Sequence, residues 1–140
     1  MQISARNVLA GKVQGVTKGA VNAEVVLALR GGETVVAIIT NSSVDSLGLA
    51  QGKSAFAIVK ASEVMIGKGL DQSKLSARNV LSGKVANVQD GAVNSEVEVT
   101  LPGGTSVVAS ITKESVKALG LKGGDAVSAI VKASNVMVGV

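Results

Sequence analysis

Ser4-Ala5-Arg6-Asn7-Val8-Leu9 returns as Ser76-Ala77-Arg78-Asn79-Val80-Leu81, 72 positions further along the chain. The offset holds without a gap, so residues 1–68 align with 73–140 and agree at 39 of 68 positions. The chain is a tandem duplication of a unit of about 70 residues. Agreement concentrates in small and polar residues: Ser-Ala-Arg-Asn, Gly19–Asn22 with Gly91–Asn94, Thr40 with Thr112, and Lys60-Ala61-Ser62 with Lys132-Ala133-Ser134. Apolar packing alone would not hold such residues fixed, so these positions are where function is sought.

Around the opening stretch the pattern is that of short strands. Ala5–Val16 reads as a strand, with Gly11 and Gly83 marking an expected bend or bulge. Lys18-Gly19 and Asp90-Gly91 are turn signals, the second of the Asp-Gly hairpin type. Val21, Ala23, Val25, Leu27 and Leu29 then alternate with polar positions such as Asn22 and Glu24, and the second copy repeats the pattern over Val93–Leu101. Thr34–Thr40 is apolar on both faces, which predicts a strand covered on both sides, either in a barrel wall or against another subunit. A short helix is expected over Ser42–Leu47 and again over Glu114–Leu119, capped by Thr40 or Asn41 and by Thr112, with Gly48 and Gly120 at the left-handed C-terminal position. Ser54–Lys60 with Glu63–Ile66, and Ala126–Lys132 with Asn135–Val138, form the last expected strand pairs. Five short strands and one helical turn per copy predict an all-β chain of two tandem OB-like five-stranded barrels, over residues 1–68 and 73–140 with a linker at 69–72.

Composition narrows the function classes. The chain has 140 residues, 46% of them hydrophobic, yet Phe56 is the one aromatic. An OB module that binds nucleic acid stacks bases on aromatics along a basic groove. One Phe and a net charge of +4 spread along the chain argue against that reading. Without cysteine there is neither a disulfide framework nor a thiolate metal site, and without histidine the commonest general base and metal ligand is missing. Glu24 and Glu96 are single carboxylates on a strand's polar face, lacking the partner that acid–base chemistry needs. The expectation is a binding protein rather than an enzyme. No stretch reads as a signal peptide or membrane span, so the expected location is the cytoplasm, with no membrane partner. Units this small bury little surface alone, so a homo-oligomer is expected.

The recurring polar residues at element ends form a donor set. Ser4 and Arg6 open the first strand, Thr40 and Ser43 start the helix, and Lys60 and Ser62 close the fourth strand. Ser76, Arg78, Thr112, Ser115, Lys132 and Ser134 repeat them. Hydroxyls, a guanidinium, an ammonium and free backbone N–H groups suit a small, multiply charged oxyanion rather than a bare metal cation. No carboxylate is expected to compete within these motifs. Taken singly, Thr40 and Thr112 are as well read as helix caps, Lys60 and Lys132 as solvated strand ends, and Arg6 and Arg78 as members of surface ion pairs. Their joint recurrence, while neighbours drifted (Lys18 to Asp90, Lys53 to Asp125), favours the shared site.

Ser-Ala-Arg-Asn, Gly-Ala-Val-Asn-x-Glu-Val and Val-Lys-Ala-Ser, in this order and twice over, resemble the molybdate-binding Mop domain and, as a pair in one chain, the tandem molbindins. The resemblance covers essentially the whole chain. It implies molybdate or tungstate as ligand, no organic cofactor, and a homotrimer of six units with anions held between units. Carried over by position, Ser4, Ala5 and Arg6 would face Thr112, Ser115, Lys132, Ala133 and Ser134. Ser76, Ala77 and Arg78 would face Thr40, Ser43, Lys60, Ala61 and Ser62. A second type of oxyanion site near the threefold axis would use Gly19, Ala20, Val21 and Asn22 with Gly91, Ala92, Val93 and Asn94. Storage of the anion is the role implied. An anion-sensing module acting on a transporter or transcription partner is the alternative.

Overall fold

From Ala23 on the alternating run folds as read, whereas Val21 and its repeat Val93 precede the strands and are exposed. In the computed structural model, which describes residues 1–140, β2 (Asn22–Leu29) buries Ala23, Val25, Leu27 and Leu29 and turns Asn22, Glu24, Val26 and Ala28 outward. It lies between β1 (Asn7–Lys18) and β3 (Thr34–Thr40), both antiparallel to it. Helix α1 (Asn41–Leu47) follows, then β4 (Ser54–Val59), which pairs with the other side of β1, and the short β5 (Met65–Gly67). The second half repeats this as β6 (Asn79–Asp90), β7 (Asn94–Thr100), β8 (Ser106–Thr112), α2 (Lys113–Leu119), β9 (Ala126–Val131) and β10 (Met137–Gly139).

Thr40 and Thr112 cap the helices as expected. Their hydroxyls accept from the backbone N–H of Ser43 and Ser115 at 3.1 Å, and Gly48 and Gly120 close the other ends at φ 61° and 59°. The bend in β1 falls elsewhere than at Gly11. The register with β2 shifts between Val13 and Gly15, and in the second half between Val85 and Asn87. Gly11 and Gly83 answer a different need: a Cβ on them would meet the carbonyl oxygens of Ala28 and Thr100 at 2.4 and 2.5 Å. Close strand approach, not bulging, excludes a side chain there.

The largest departure from the sequence reading concerns the last strands. β4 does not pair with β5, nor β9 with β10. Met65 and Gly67 of β5 sit opposite Ile130 and Ser128 of β9, while Met137 and Gly139 of β10 sit opposite Ile58 and Phe56 of β4. Each half therefore lends its last strand to the other's sheet, giving the orders β10-β4-β1-β2-β3 and β5-β9-β6-β7-β8. Local pattern predicts strands but not their partners, and the two copies share enough sequence for either pairing to bury the same faces. The two five-stranded sheets are antiparallel, and the expected closed barrels are not seen. Neither is closed by hydrogen bonds between its edge strands, β10 with β3 or β5 with β8. One cluster of 27 buried apolar residues draws on both halves, so the halves share a core.

β3, expected to be covered on both faces, is an edge strand: Val35 and Ala37 are buried, while Val36 and Ile38 are half-buried on the outer face. The outer faces of the two sheets differ. Ala10, Val26, Ala28, Ile38 and Phe56 of the first correspond to Ser82, Glu98, Thr100, Ser110 and Ser128 of the second.

The two β2–β3-type turns meet back to back. Gly103 Nα–H donates to Glu33 Oε2 at 3.0 Å, and a Cβ on Gly103 would lie 1.9 Å from the Gly31 carbonyl oxygen. A Cβ on Gly31 would instead meet the ends of the Glu33 and Thr105 side chains at 2.8 Å, with the Gly103 carbonyl oxygen at 3.0 Å. Gly103→Ala is expected to cost about 1–3 kcal/mol by forcing backbone apart, and Gly31→Ala less, because flexible groups can yield. Urea unfolding of both variants checks this; equal losses would contradict it.

Candidate functional site

The opening stretch crosses from half to half at Asn7. This side chain is 2% exposed, and its Nδ2 donates to the Val108 carbonyl while its Oδ1 accepts from the Val108 N–H, both at 2.8 Å. Asn79 does the same with Val36 at 2.8 Å. Val108 and Val36 lie on the edge strands β8 and β3, so each amide stands in for a missing neighbouring strand. The anchoring fixes the preceding Ser-Ala-Arg segment at the boundary of the halves.

Arg6 and Arg78 also reach across. Arg6 Nη1 donates to Glu96 Oε2, and Arg78 holds Glu24 with two bonds, Nη1 to Oε2 at 3.0 Å and Nη2 to Oε1 at 3.2 Å. The expectation that no carboxylate competes in these motifs is thus overturned, since Glu24 and Glu96 belong to the Gly-Ala-Val-Asn-x-Glu motif and engage the guanidiniums. The hydrogen bond and charge of Arg78 hold the Glu24 carboxyl below its ordinary value, and Glu24 raises Arg78 in turn. A depressed carboxyl contributes stability that is present above its ordinary value of 4.5 and lost as pH falls through the lower folded value. Glu24→Gln is accordingly expected to lower the thermal midpoint at neutral pH and to match the parent in acid. A constant difference at every pH would contradict this.

Two clefts follow from this arrangement. One, of about 310 Å³, is lined by Ile3, Ser4, Ala5, Arg6, Lys60, Ala61, Ser62 and Met137. The other, of about 360 Å³, gathers Ser76, Ala77, Arg78, Lys132, Ala133 and Ser134 with Met65, Leu75 and Ile38. The 3₁₀ turns Ala61–Glu63 and Ala133–Asn135 bury their alanines and leave Lys60, Ser62, Lys132 and Ser134 exposed at the rim. Within one chain, then, each Ser-Ala-Arg segment shares a cleft with the Lys-Ala-Ser of its own half. The crossing to the other half's Lys-Ala-Ser is not made inside the chain. Met137 and Met65 arrive in these clefts on the exchanged strands.

Thr40, Ser43, Thr112 and Ser115 line neither cleft. They stand beside the second motif. Asn22 pairs with Thr40 and Asn94 with Thr112 across the strands, and Asn41 N–H donates to the Val21 carbonyl at 2.9 Å, as Lys113 N–H does to Val93. Gly19–Asn22 is a hairpin turn closed by the Gly19 N–H to Asn22 carbonyl bond at 2.7 Å, and Gly91–Asn94 by the same bond at 2.8 Å. Val21 and Val93 are left 70% and 73% exposed at the tips. Near Gly91 and Asn94 the lining includes Asp90 and Glu96, with Ser95 Oγ donating to Asp90 at 2.7 Å.

Sequence reasoning missed Asn7 and Asn79 as clasps and Glu24 and Glu96 as partners of arginine. All four are identical between the copies at positions where drift was free to act, and that was the available signal. No group of three or more His, Cys, Asp or Glu side chains is placed to hold a metal ion, and no helix is long and apolar enough to cross a membrane.

The TOBE domain family profile matches residues 3–66 and 75–138. The chain is 47% identical over 137 residues to the molybdenum-pterin-binding protein MopA of Rhodobacter capsulatus, and 44% identical over 140 residues to the molybdenum transport protein ModE of Azotobacter vinelandii. These alignments cover 98% and 100% of the chain but 52% of each relative, so the chain spans about half the length of those curated proteins. It also superposes on a molybdate-bound crystal form of the cytoplasmic molybdate-binding protein ModG with a TM-score of 0.94 and 50% identity, over 100% of this chain and 99% of that one.

Proposed function

Because the chain belongs to the TOBE-domain family, in the tandem form of the molbindins, we propose that it is a cytoplasmic molybdate-binding protein. The observation that carries this reading is the pair of repeat-related clefts, each offering two serines, an arginine and a lysine to one small volume. A tetrahedral dianion accepts from all of these, and charge-assisted bonds of this kind are the stronger ones. Binding is reversible and makes no covalent bond. Fixed donors set for long metal–oxygen bonds leave sulfate's shorter reach unsatisfied, which gives selectivity by size. Tungstate, of the same shape and charge, fits the same donors.

Each cleft is open on one side, and the Thr40–Ser43 and Thr112–Ser115 hydroxyls lie outside it. In our reading a homotrimer of six units brings them to the clefts of neighbouring chains, so sites are completed by assembly and anion stabilises the oligomer by mass action. The hairpins Gly19–Asn22 and Gly91–Asn94, with exposed Val21 and Val93, would meet their symmetry mates and form the second type of site. Buffering or storage of the anion is the role that follows. Sensing the anion for a transporter or transcription partner is the second reading, favoured by the match to the molybdenum transport protein ModE.

Calorimetric titration of anion-stripped protein with molybdate, then with sulfate at matched ionic strength, tests the reading. Saturable molybdate binding with little sulfate response is expected. Lys60→Ala and Lys132→Ala, like Arg6→Ala, should each weaken binding roughly 10- to 100-fold at the cleft affected, the span of one charge-assisted bond, with the fold unchanged by circular dichroism. Unaltered affinity in all three would exclude the clefts as the site.

A further inference from the structure

The two clefts share their donors but not their walls. Ile38 lines the Arg78 cleft. Its counterpart, Ser110, faces Glu96 across β7–β8 just as Ile38 faces Glu24 across β2–β3. The arginines are held differently as well: Glu24 engages both terminal nitrogens of Arg78, whereas Glu96 engages only one of Arg6. An anion that draws Arg78 toward it competes with a two-bond fork, and the apolar Ile38 across from Glu24 offers the carboxylate no replacement partner. Arg6 has a single such bond, and Ser110, the cross-strand partner of Glu96, puts a hydroxyl beside that carboxylate's strand position where the first half has an apolar side chain.

From these differences we propose that the Arg6–Lys60 cleft takes an oxyanion ahead of the Arg78–Lys132 cleft, with Ser110 and Ile38 setting the order. The proposal rests on the binding function above and adds to it a ranking that the repeated motifs do not contain. One group acts against it. Glu98 stands where the first half has Val26, two residues from Glu96 on the same face, and its charge disfavours an anion near Arg6. It accepts from Ser106 Oγ at 2.7 Å and lies one pleat further along the strand, so water and that bond attenuate its effect.

Calorimetry of the anion-stripped full chain with molybdate reads the order directly. The parent should show two distinguishable classes of cleft site, the tighter weakened by Lys60→Ala and the weaker by Lys132→Ala, each roughly 10- to 100-fold, while any hairpin site moves with neither. Ser110→Ile should weaken the tighter class, and Ile38→Ser strengthen the weaker one, each about fivefold, as one net hydrogen bond implies. Each exchange installs a residue that the other half already carries at that position, so the backbone tolerates both. Glu24→Gln, which loosens the grip on Arg78 without touching the core, should also strengthen the weaker class. A single class in the parent, the reverse assignment, or exchanges that leave both classes unmoved would overturn the order while leaving molybdate binding intact. No heat from any variant would overturn the order and the binding function together, a result distinct from the others.

Discussion

Asn7→Ala should destabilise the chain by about 2–4 kcal/mol, since two net hydrogen bonds disappear and the half-buried backbone N–H and C=O of Val108 lose their partners. Asn79→Ala should cost a similar amount through Val36. Asn7→Asp should be no milder. A carboxylate still accepts from the Val108 N–H, but it sets a second acceptor against the Val108 carbonyl and carries a charge into a site 2% exposed. Chemical denaturation of the three variants measures this. A loss below about 0.5 kcal/mol for either alanine variant, the level of an ordinary surface substitution, would show that water replaces the amide and that the clasp is dispensable. The clasps also hold the Ser-Ala-Arg segments, so anion affinity should fall with stability in these variants, although neither asparagine lines a cleft.

The second large effect is expected on cutting the chain at its repeat. Residues 1–68 alone contain β5 without β9, and β4 without β10. A second copy can supply what is missing, because the residues that cross between halves are the same in both: Asn7 and Asn79, Val36 and Val108, Arg6 and Arg78, Glu24 and Glu96, Met65 and Met137. An isolated first half should therefore associate into pairs that exchange β5, with an unfolding midpoint that rises with protein concentration. Sedimentation and thermal melts over a hundredfold dilution would show it. A stable monomer whose melting ignores dilution would mean that β5 can fold back onto its own β4, and that the linker rather than pairing energetics directs the exchange.

What the sequence disclosed was set by the range of the interactions. Alternation over Ala23–Leu29, the Thr40 cap and the Gly48 terminus depend on neighbours within a few residues and stand where the sequence puts them, while Val21 falls in the turn and is exposed. The Ser-Ala-Arg and Lys-Ala-Ser segments were singled out by recurrence, and the fold does bring them into common clefts. Partner choice was not legible. β5 has three residues, too few to favour β4 over β9 by pattern, and Arg6 finds its carboxylate 90 positions away. Residue type groups Thr40 and Ser43 with Lys60, yet within one chain they lie outside its cleft, beside the Gly19–Asn22 turn. Gly11 reads as a bend because sequence shows a missing side chain but not the carbonyl that excludes it.

The unlike outer faces bear on how far association can run. Val26, Ile38 and Phe56 leave the first sheet able to adhere to another molecule, while Glu98, Ser110 and Ser128 make the second resist dehydration. A body with two equally adhesive faces can add copies without limit and grow into a fibre. With one face adhesive and one hydrated, growth ends once the adhesive faces have satisfied one another, and the product has a fixed number of members. The exchange of three apolar residues for polar ones between the repeats is thus expected to limit association to a closed number of copies. Glu98→Val, Ser110→Ile and Ser128→Phe together should promote open-ended growth, seen as turbidity or fast-sedimenting species.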